Sequence, residues 1–360
     1  MKKTFAIIAG FALLLIIFLF TEKKQENLKE EILWKINPTK ISLFPPKNGK
    51  EFEGNFINER IDFVRYANLL KDTALFSISS IDKETGRNIV FECGYHCKNL
   101  FTEVSVLKIL SAVFSEESYR KNLNIDADSS SIIALYDNGR ILKELLIGKE
   151  SSDKARRFFE TDGKIYSAHS YIFNRFKDYP QNFRERQIFS TVNSKMKNME
   201  FVSENKTVKI QVAQITENSI EKNSYVRTSQ KKIIIEPLLG DSLEASLKSL
   251  KIELYPDDKN GEGFSVANEL TKSKENFKLK IILTNNIQVT LRIFPMTNIK
   301  DVKLRPIVRQ LQDITESPAY IKEEDFKKIE EDFEKIFTAE SYKKPNAKTE
   351  PTNTKPDPKK

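Results

Sequence analysis

The sequence predicts an α+β fold: two related modules, each a small and mainly antiparallel sheet with packed helices, behind one N-terminal transmembrane helix. Three observations carry this. One apolar run stands at the amino terminus, β-branched alternation mixes with helical spacing from about residue 40 to 337, and Asn-Gly or Asp-Gly pairs punctuate apolar runs. A length of 360 residues suits two ordinary domains or one duplicated unit.

Composition narrows the class. With 39% hydrophobic and 31% charged residues, and 25 Phe and 11 Tyr against 11 Gly, collagen-like, low-complexity and wholly disordered chains are excluded. A multi-pass transporter is excluded too, because a single segment is apolar for long enough. The net charge of +8 is misleading until it is located. Six lysines against Glu350 and Asp357 put half of the excess in residues 341–360, so no nucleic-acid partner is read from it.

The elements follow in chain order. Lys2 and Lys3 precede the uncharged run Phe5 to Phe20, which exits through Ile17-Phe18-Leu19-Phe20 with no small-residue cleavage site and no lipid-attachment Cys. An uncleaved signal anchor over residues 1–21 is expected, the alternative being a cleaved secretory leader. The positive-inside rule then places residues 21–360 outside the cytoplasmic membrane, which residues 5–20 would contact. Residues 22–39 read as a solvated stalk, helical from Glu22 to Trp34 and ended by Pro38.

The first module is expected over 40–190 and the second over 191–338. In the first, Asn88 to Cys93 reads as a strand and Phe101 to Tyr119 as a helix. Ser131–Tyr136 and Arg140–Gly148 form a hairpin through Asp137-Asn138-Gly139. Arg157–Glu160 and Lys164–Ala168 pair through Asp162-Gly163, and Ser170–Phe176 closes the module as a helix. In the second, Val226–Glu236 reads as a strand and Asp241–Leu254 as a helix opened by an Asp/Ser cap. Phe277–Leu283 pairs with Gln288–Phe294 through Asn285-Asn286, and Ala319-Tyr320 leads into a closing helix over Glu323–Phe337. The recurring order predicts a diverged duplication. Residues 339–360, with four prolines among Lys, Thr and Asn, read as a disordered tail.

Candidate functional residues are few. Cys93 and Cys97 form a C-x3-C pair, readable as a local disulfide, as free thiols, or as metal ligands with His96 between them. No phosphate-binding glycine motif and no G-x-S-x-G elbow occurs, so no cofactor and no ATPase or serine-hydrolase chemistry is expected. His169, among Ser167 and Ser170, reads as an exposed or capping residue rather than a base. The acidic stretches Glu323-Glu324-Asp325 and Glu330-Glu331-Asp332 are explained by pairing with nearby lysines. The most functional-looking charged feature is Arg175, Lys177, Arg184 and Arg186 interleaved with Phe173, Phe176, Tyr179 and Phe183. Arg175, Arg184, Arg186 and Phe183 are the candidate interface, the alternative being core phenylalanines with solvated or ion-paired arginines.

The hairpin ending Leu145-Leu146-Ile147-Gly148, the pairs Phe158-Phe159 and Gly163-Lys164-Ile165-Tyr166, the helix through Phe173 and Phe176, and Phe183-Arg184-Glu185-Arg186-Gln187-Ile188-Phe189 resemble the family called domain of unknown function 4340. The stretch 103–119 and Leu123-Asn124-Ile125-Asp126 extend the likeness. The resemblance implies a single-anchor extracytoplasmic protein, accessory to ABC-type transport or gliding-motility-type components, with no defined reaction. A periplasmic binding or scaffolding role is therefore expected. The alternative is an envelope hydrolase or glycan-modifying enzyme whose carboxylate pair is set by the fold and not by local spacing.

Overall fold

The computed structural model describes residues 30–47, 60–66, 75–113, 117–126, 128, 130–174, 183–189, 195–217, 220–229 and 231–342. The apolar run at 5–20, most of the stalk and the tail beyond residue 342 lie outside the described residues. Among the described residues no helix is long and apolar enough to cross a membrane. The architecture is α+β and rich in antiparallel sheet. Chain contacts divide it into two compact units: Met1–Tyr66, Phe76–Ile81 and Cys93–Phe183 form one, and Ala67–Leu75, Asp82–Glu92 and Arg184–Lys360 the other.

The first unit is built on a sheet running Leu75–Ile81, Ile61–Tyr66, Lys40–Phe44, Ser131–Asp137, Arg140–Glu150, Arg156–Thr161, Lys164–His169 and Ser111–Val113. Its two tight hairpins follow from turn chemistry. Asn138 and Gly139 have φ of 46° and 80°, and Asp162 and Gly163 have 50° and 74°. Two consecutive left-handed residues give the turn whose twist matches paired strands, and Asn, Asp and Gly adopt it at least cost. Strand alternation then sends Ile41, Leu43, Phe63, Ile133, Leu135, Leu145, Ile147, Phe159 and Ile165 into the core.

The helix expected over 101–119 is corrected. The observed helix is Tyr95–Ser105, burying Cys97, Leu100, Phe101 and Val104 at i, i+3, i+4 and i+7. Beyond Val106 the chain is extended: Lys108–Ile109 pairs with Glu31–Ile32, and Ser111–Val113 with Lys164–His169. Residues 107 and 110 continue the helical period, but the Leu107 carbonyl accepts from Leu33 N–H and Leu110 N–H donates to the Ser167 carbonyl, so pairing overrides spacing. A separate short helix spans Glu117–Asn122. The described end of the expected stalk is also not a solvated helix, because Trp34 Nε1 donates to the Val104 carbonyl at 2.8 Å, satisfying an acceptor that the helix end leaves open.

The second unit is built on a sheet running Ile233–Ile234, Ile220–Arg227, Lys206–Glu217, Met196–Ser203, Phe277–Leu283, Gln288–Ile293, Val302–Leu311 and Thr297–Ile299, with Ile314–Thr315 and Ala319–Lys322 also paired to Val302–Leu311. The expected single strand Val226–Glu236 is two: the chain folds back so that Ile233 and Ile234 pair with Arg227 and Val226. The expected helix 241–254 starts earlier, as Pro237–Ser249, because Pro237 sets the first helical φ, and no side-chain cap is involved. It stops at Leu250, and Ile252 instead bonds the Arg186 carbonyl.

The closing helix spans Glu323–Thr338. Phe326, Ile329, Phe333 and Ile336 are each at most 1% exposed on its inner face. Acids open its first turn, where Glu323 pairs with Arg305, and Arg227 Nη1 donates to the carbonyls of Ile336 and Phe337 at its end. Both termini are thus matched to the helix dipole.

Candidate functional site

Cys93 and Cys97 are joined as a disulfide with Cα atoms 5.8 Å apart, and both are buried. Oxidised sulfurs offer a metal no thiolate, so the reading with His96 as third ligand is corrected; the His96 ring packs near Tyr95 and Phe183. Among the described residues no three His, Cys, Asp or Glu side chains are grouped to hold a metal. His169 lies 3.1 Å from Glu30.

Of the candidate interface, Arg175 lies outside the described residues. Phe183 is 1% exposed and packs on Phe63. Arg184 is 5% exposed, so neither side chain presents itself to solvent. Its guanidinium donates to both oxygens of Asp257 at 2.5 and 2.7 Å and stands 4.6 and 4.9 Å from the ring centroids of Phe91 and Tyr255. Arg186 bonds the Ile252 and Glu253 carbonyls and Asp258, and keeps partial exposure. Arg184 is buried because Asp257, some seventy residues on, neutralises it inside the unit, and Asp258 pairs with the partly exposed Arg186.

Beside this pair lies Arg309, which donates to Glu316 at 2.9 and 2.7 Å, to the Gln187 and Ile188 carbonyls, and lies 3.0 Å from Glu92. Burial works against its charge, but Glu316 and Glu92 more than compensate and hold its pKa above the ordinary value. Tyr255 is pushed up by burial and by Glu316, and stays a neutral phenol. Each charge here is answered by another, which is the signature of a structural core and not of a site awaiting a ligand.

A different cluster, not read from the sequence, borders open space. A cavity of about 810 Å³ is lined by Lys195, Ile215, Asn223, Ile234, Asp241, Glu244, Lys248 and Tyr342 among others. Its fixed wall comes from the strand Ile220–Arg227 and the helix Pro237–Ser249. Gly240 has no side chain where the Tyr225 ring crosses the helix, and a methyl there would overlap that ring. The ring therefore lies flat on the helix with its hydroxyl 2.7 Å from Asp241 Oδ1 and 2.7 Å from Glu244 Oε2. The i, i+3 spacing of Asp241 and Glu244 puts both carboxylates on one helix face.

One phenolic proton faces two carboxylate oxygens, and it serves only one at a time. Glu244, 5% exposed, is otherwise satisfied: Asn223 Nδ2 donates to Oε2 at 2.9 Å and Lys248 Nζ to Oε1 at 2.6 Å. Asp241 is exposed on the cavity side, leaving it the acceptor with capacity to spare. Burial, then the bonds to Glu244 and Asp241, push the Tyr225 pKa well up, so the hydroxyl remains a neutral donor. The arrangement provides one exposed carboxylate, one fixed phenol and an apolar flank of Ile215 and Ile234, 46% and 50% exposed. The sequence signal for it is faint: Asn223 and Tyr225 alternate on one strand face, and Gly240-Asp241 sits unusually inside a helical run.

With this geometry in place, residues 94–272 match the model of a family described as Domain of unknown function (DUF4340). The matched stretch includes Tyr225, Asp241 and Glu244 and ends before the closing helix. No curated protein and no solved structure matches the chain.

Proposed function

We propose that this chain is a membrane-anchored extracytoplasmic binding or scaffolding protein, accessory to an ABC-type transport or gliding-motility-like envelope assembly, that engages its partner or ligand at the cavity beside Tyr225. One observation carries the binding reading: the wall of that cavity is preorganised, with Glu244 locked by Tyr225, Asn223 and Lys248 while Asp241 faces open space. The location is supported by the uncharged run from Phe5 to Phe20 behind two lysines, and by the buried Cys93–Cys97 disulfide, since such bonds persist in oxidising compartments. The ABC association rests on the family resemblance. In-cell cross-linking of tagged full-length protein, gentle extraction and mass spectrometry test it. Recovery of ABC permease or ATPase subunits, lost when residues 1–21 are replaced by a cleavable signal, is expected; recovery of the protein alone overturns the accessory role.

A second reading, an envelope hydrolase, draws on the two carboxylates sharing one phenol. Turnover of isolated envelope glycan by the purified protein, abolished by Asp241→Asn, would replace binding with catalysis.

A further inference from the structure

A second cleft, of about 330 Å³, lies in the same unit away from Tyr225. It is formed by the hairpin joining Met196–Ser203 to Lys206–Glu217 and by the last turns of the closing helix. Glu330, Phe333, Glu334 and Phe337 stand at i, i+3, i+4 and i+7, so one helix face supplies two rings and two carboxylates. Phe201 stacks on Phe333 with centroids 4.3 Å apart and an interplanar angle of 14°, and Phe277 extends the stack at 5.5 Å from Phe201.

One cation already sits in this cleft. Lys206 Nζ donates to both oxygens of Glu334 at 2.7 Å and stands 5.2 Å from the Phe337 ring centroid. An ammonium held between a carboxylate and an aromatic face is a stable arrangement, because the ring quadrupole and the anion attract the same charge. The lining is not neutralised by it: Glu204, Glu330 and Glu334 stand against Lys206 alone. Glu330 has no hydrogen-bond or ion-pair partner among the described residues, and burial holds its carboxyl above the usual range despite the pull of Arg305 and Lys327.

We propose that this cleft binds a second ammonium group, carried by a lysine side chain of a partner or by a free alkylamine, with Glu330 as its counter-ion and the rings as its walls. Glu330 repeats the carboxylate of the Lys206 site one helical turn before Glu334, within the same aromatic lining. The inference does not rest on the cavity beside Tyr225 or on the accessory role.

The test is calorimetric titration of detergent-solubilised full-length protein with n-butylammonium and with 1-butanol, each blanked against empty detergent. Butylammonium is expected to bind at least about tenfold more tightly than butanol, and Glu330→Gln to erase that preference. Lys206→Ala is expected to tighten binding severalfold, since it frees Glu334 and the Phe337 face for the ligand. N-acetyl-lysine amide binding more tightly than butylammonium assigns the site to a protein partner's lysine, and equal binding assigns it to free amines. Absent butylammonium binding, equal affinity for butanol, or a preference that survives Glu330→Gln overturns the proposal.

Discussion

The two units solve the same problem, an antiparallel sheet that must bury one face, with different chemistry. The first relies on aliphatic and aromatic packing, two left-handed hairpin turns and one disulfide. Its fully buried Arg157 lies 3.4 Å from Glu150 and donates to the Gly148 carbonyl at 3.2 Å, and burial pushes the guanidinium pKa down. The second unit buries Arg184, Arg227 and Arg309 and gives each a well-placed acceptor set. The difference teaches where each unit is vulnerable. A buried charge whose surroundings hold its pKa up is costly to disturb, while one whose pKa burial pushes down contributes less.

The sharpest way to break this comparison is to remove the matching arginine from each unit. Arg309→Met removes the counter-charge that Glu316 holds at 2.7 Å and should lose about 3–5 kcal/mol in denaturant unfolding, whereas Arg157→Met, where burial already works against the charge, should lose less. Equal losses would erase the contrast. Next in size, Gly240→Ala forces a methyl into the Tyr225 ring and should lower stability by up to about 3 kcal/mol while opening the Asp241–Tyr225–Glu244 cluster, read as increased Tyr225 fluorescence or proton-exchange mobility.

Within the first unit, replacing both Cys93 and Cys97 by Ser should cost about 2 kcal/mol, modest because the closed loop is short. Thermal unfolding with and without reductant checks it. The smallest effect concerns Glu330. Its pKa is raised by burial, so its contribution to stability is fully present below the ordinary carboxyl range and is lost as pH rises through the raised value. At neutral pH the ionised carboxylate is therefore a mild burden. Glu330→Gln should unfold at slightly higher temperature than the parent at pH 7, with the gap closing near pH 4.

Much of the fold is legible in the sequence where local chemistry decides. Asn138-Gly139 and Asp162-Gly163 mark turns whose residues adopt positive φ, as does Asn286 in the turn at Asn285-Asn286, and the spacing of Phe326, Ile329, Phe333 and Ile336 marks the closing helix. Illegible are the places where distant chain decides. Residues 104 to 113 carry a helical period, yet the strand at Lys164–His169 draws the end of that stretch into the sheet. Arg184 and Arg186 are visible as an aromatic-flanked basic cluster, but whether they face water depends on Asp257 and Asp258, which no local pattern ties to them. The Tyr225 cluster joins a strand to a helix through Gly240, and only the packed structure shows why that glycine matters.

The central claim is that the second unit carries the working surface at the cavity beside Tyr225, and the first unit does not. Placing a photo-reactive residue at Ile234, on the cavity rim, or at Ile141, equally open on the first unit, tests it most directly. Irradiated cells should yield adducts to ABC-type subunits from position 234 and none from position 141. Adducts from position 141 alone, or from neither, would contradict it.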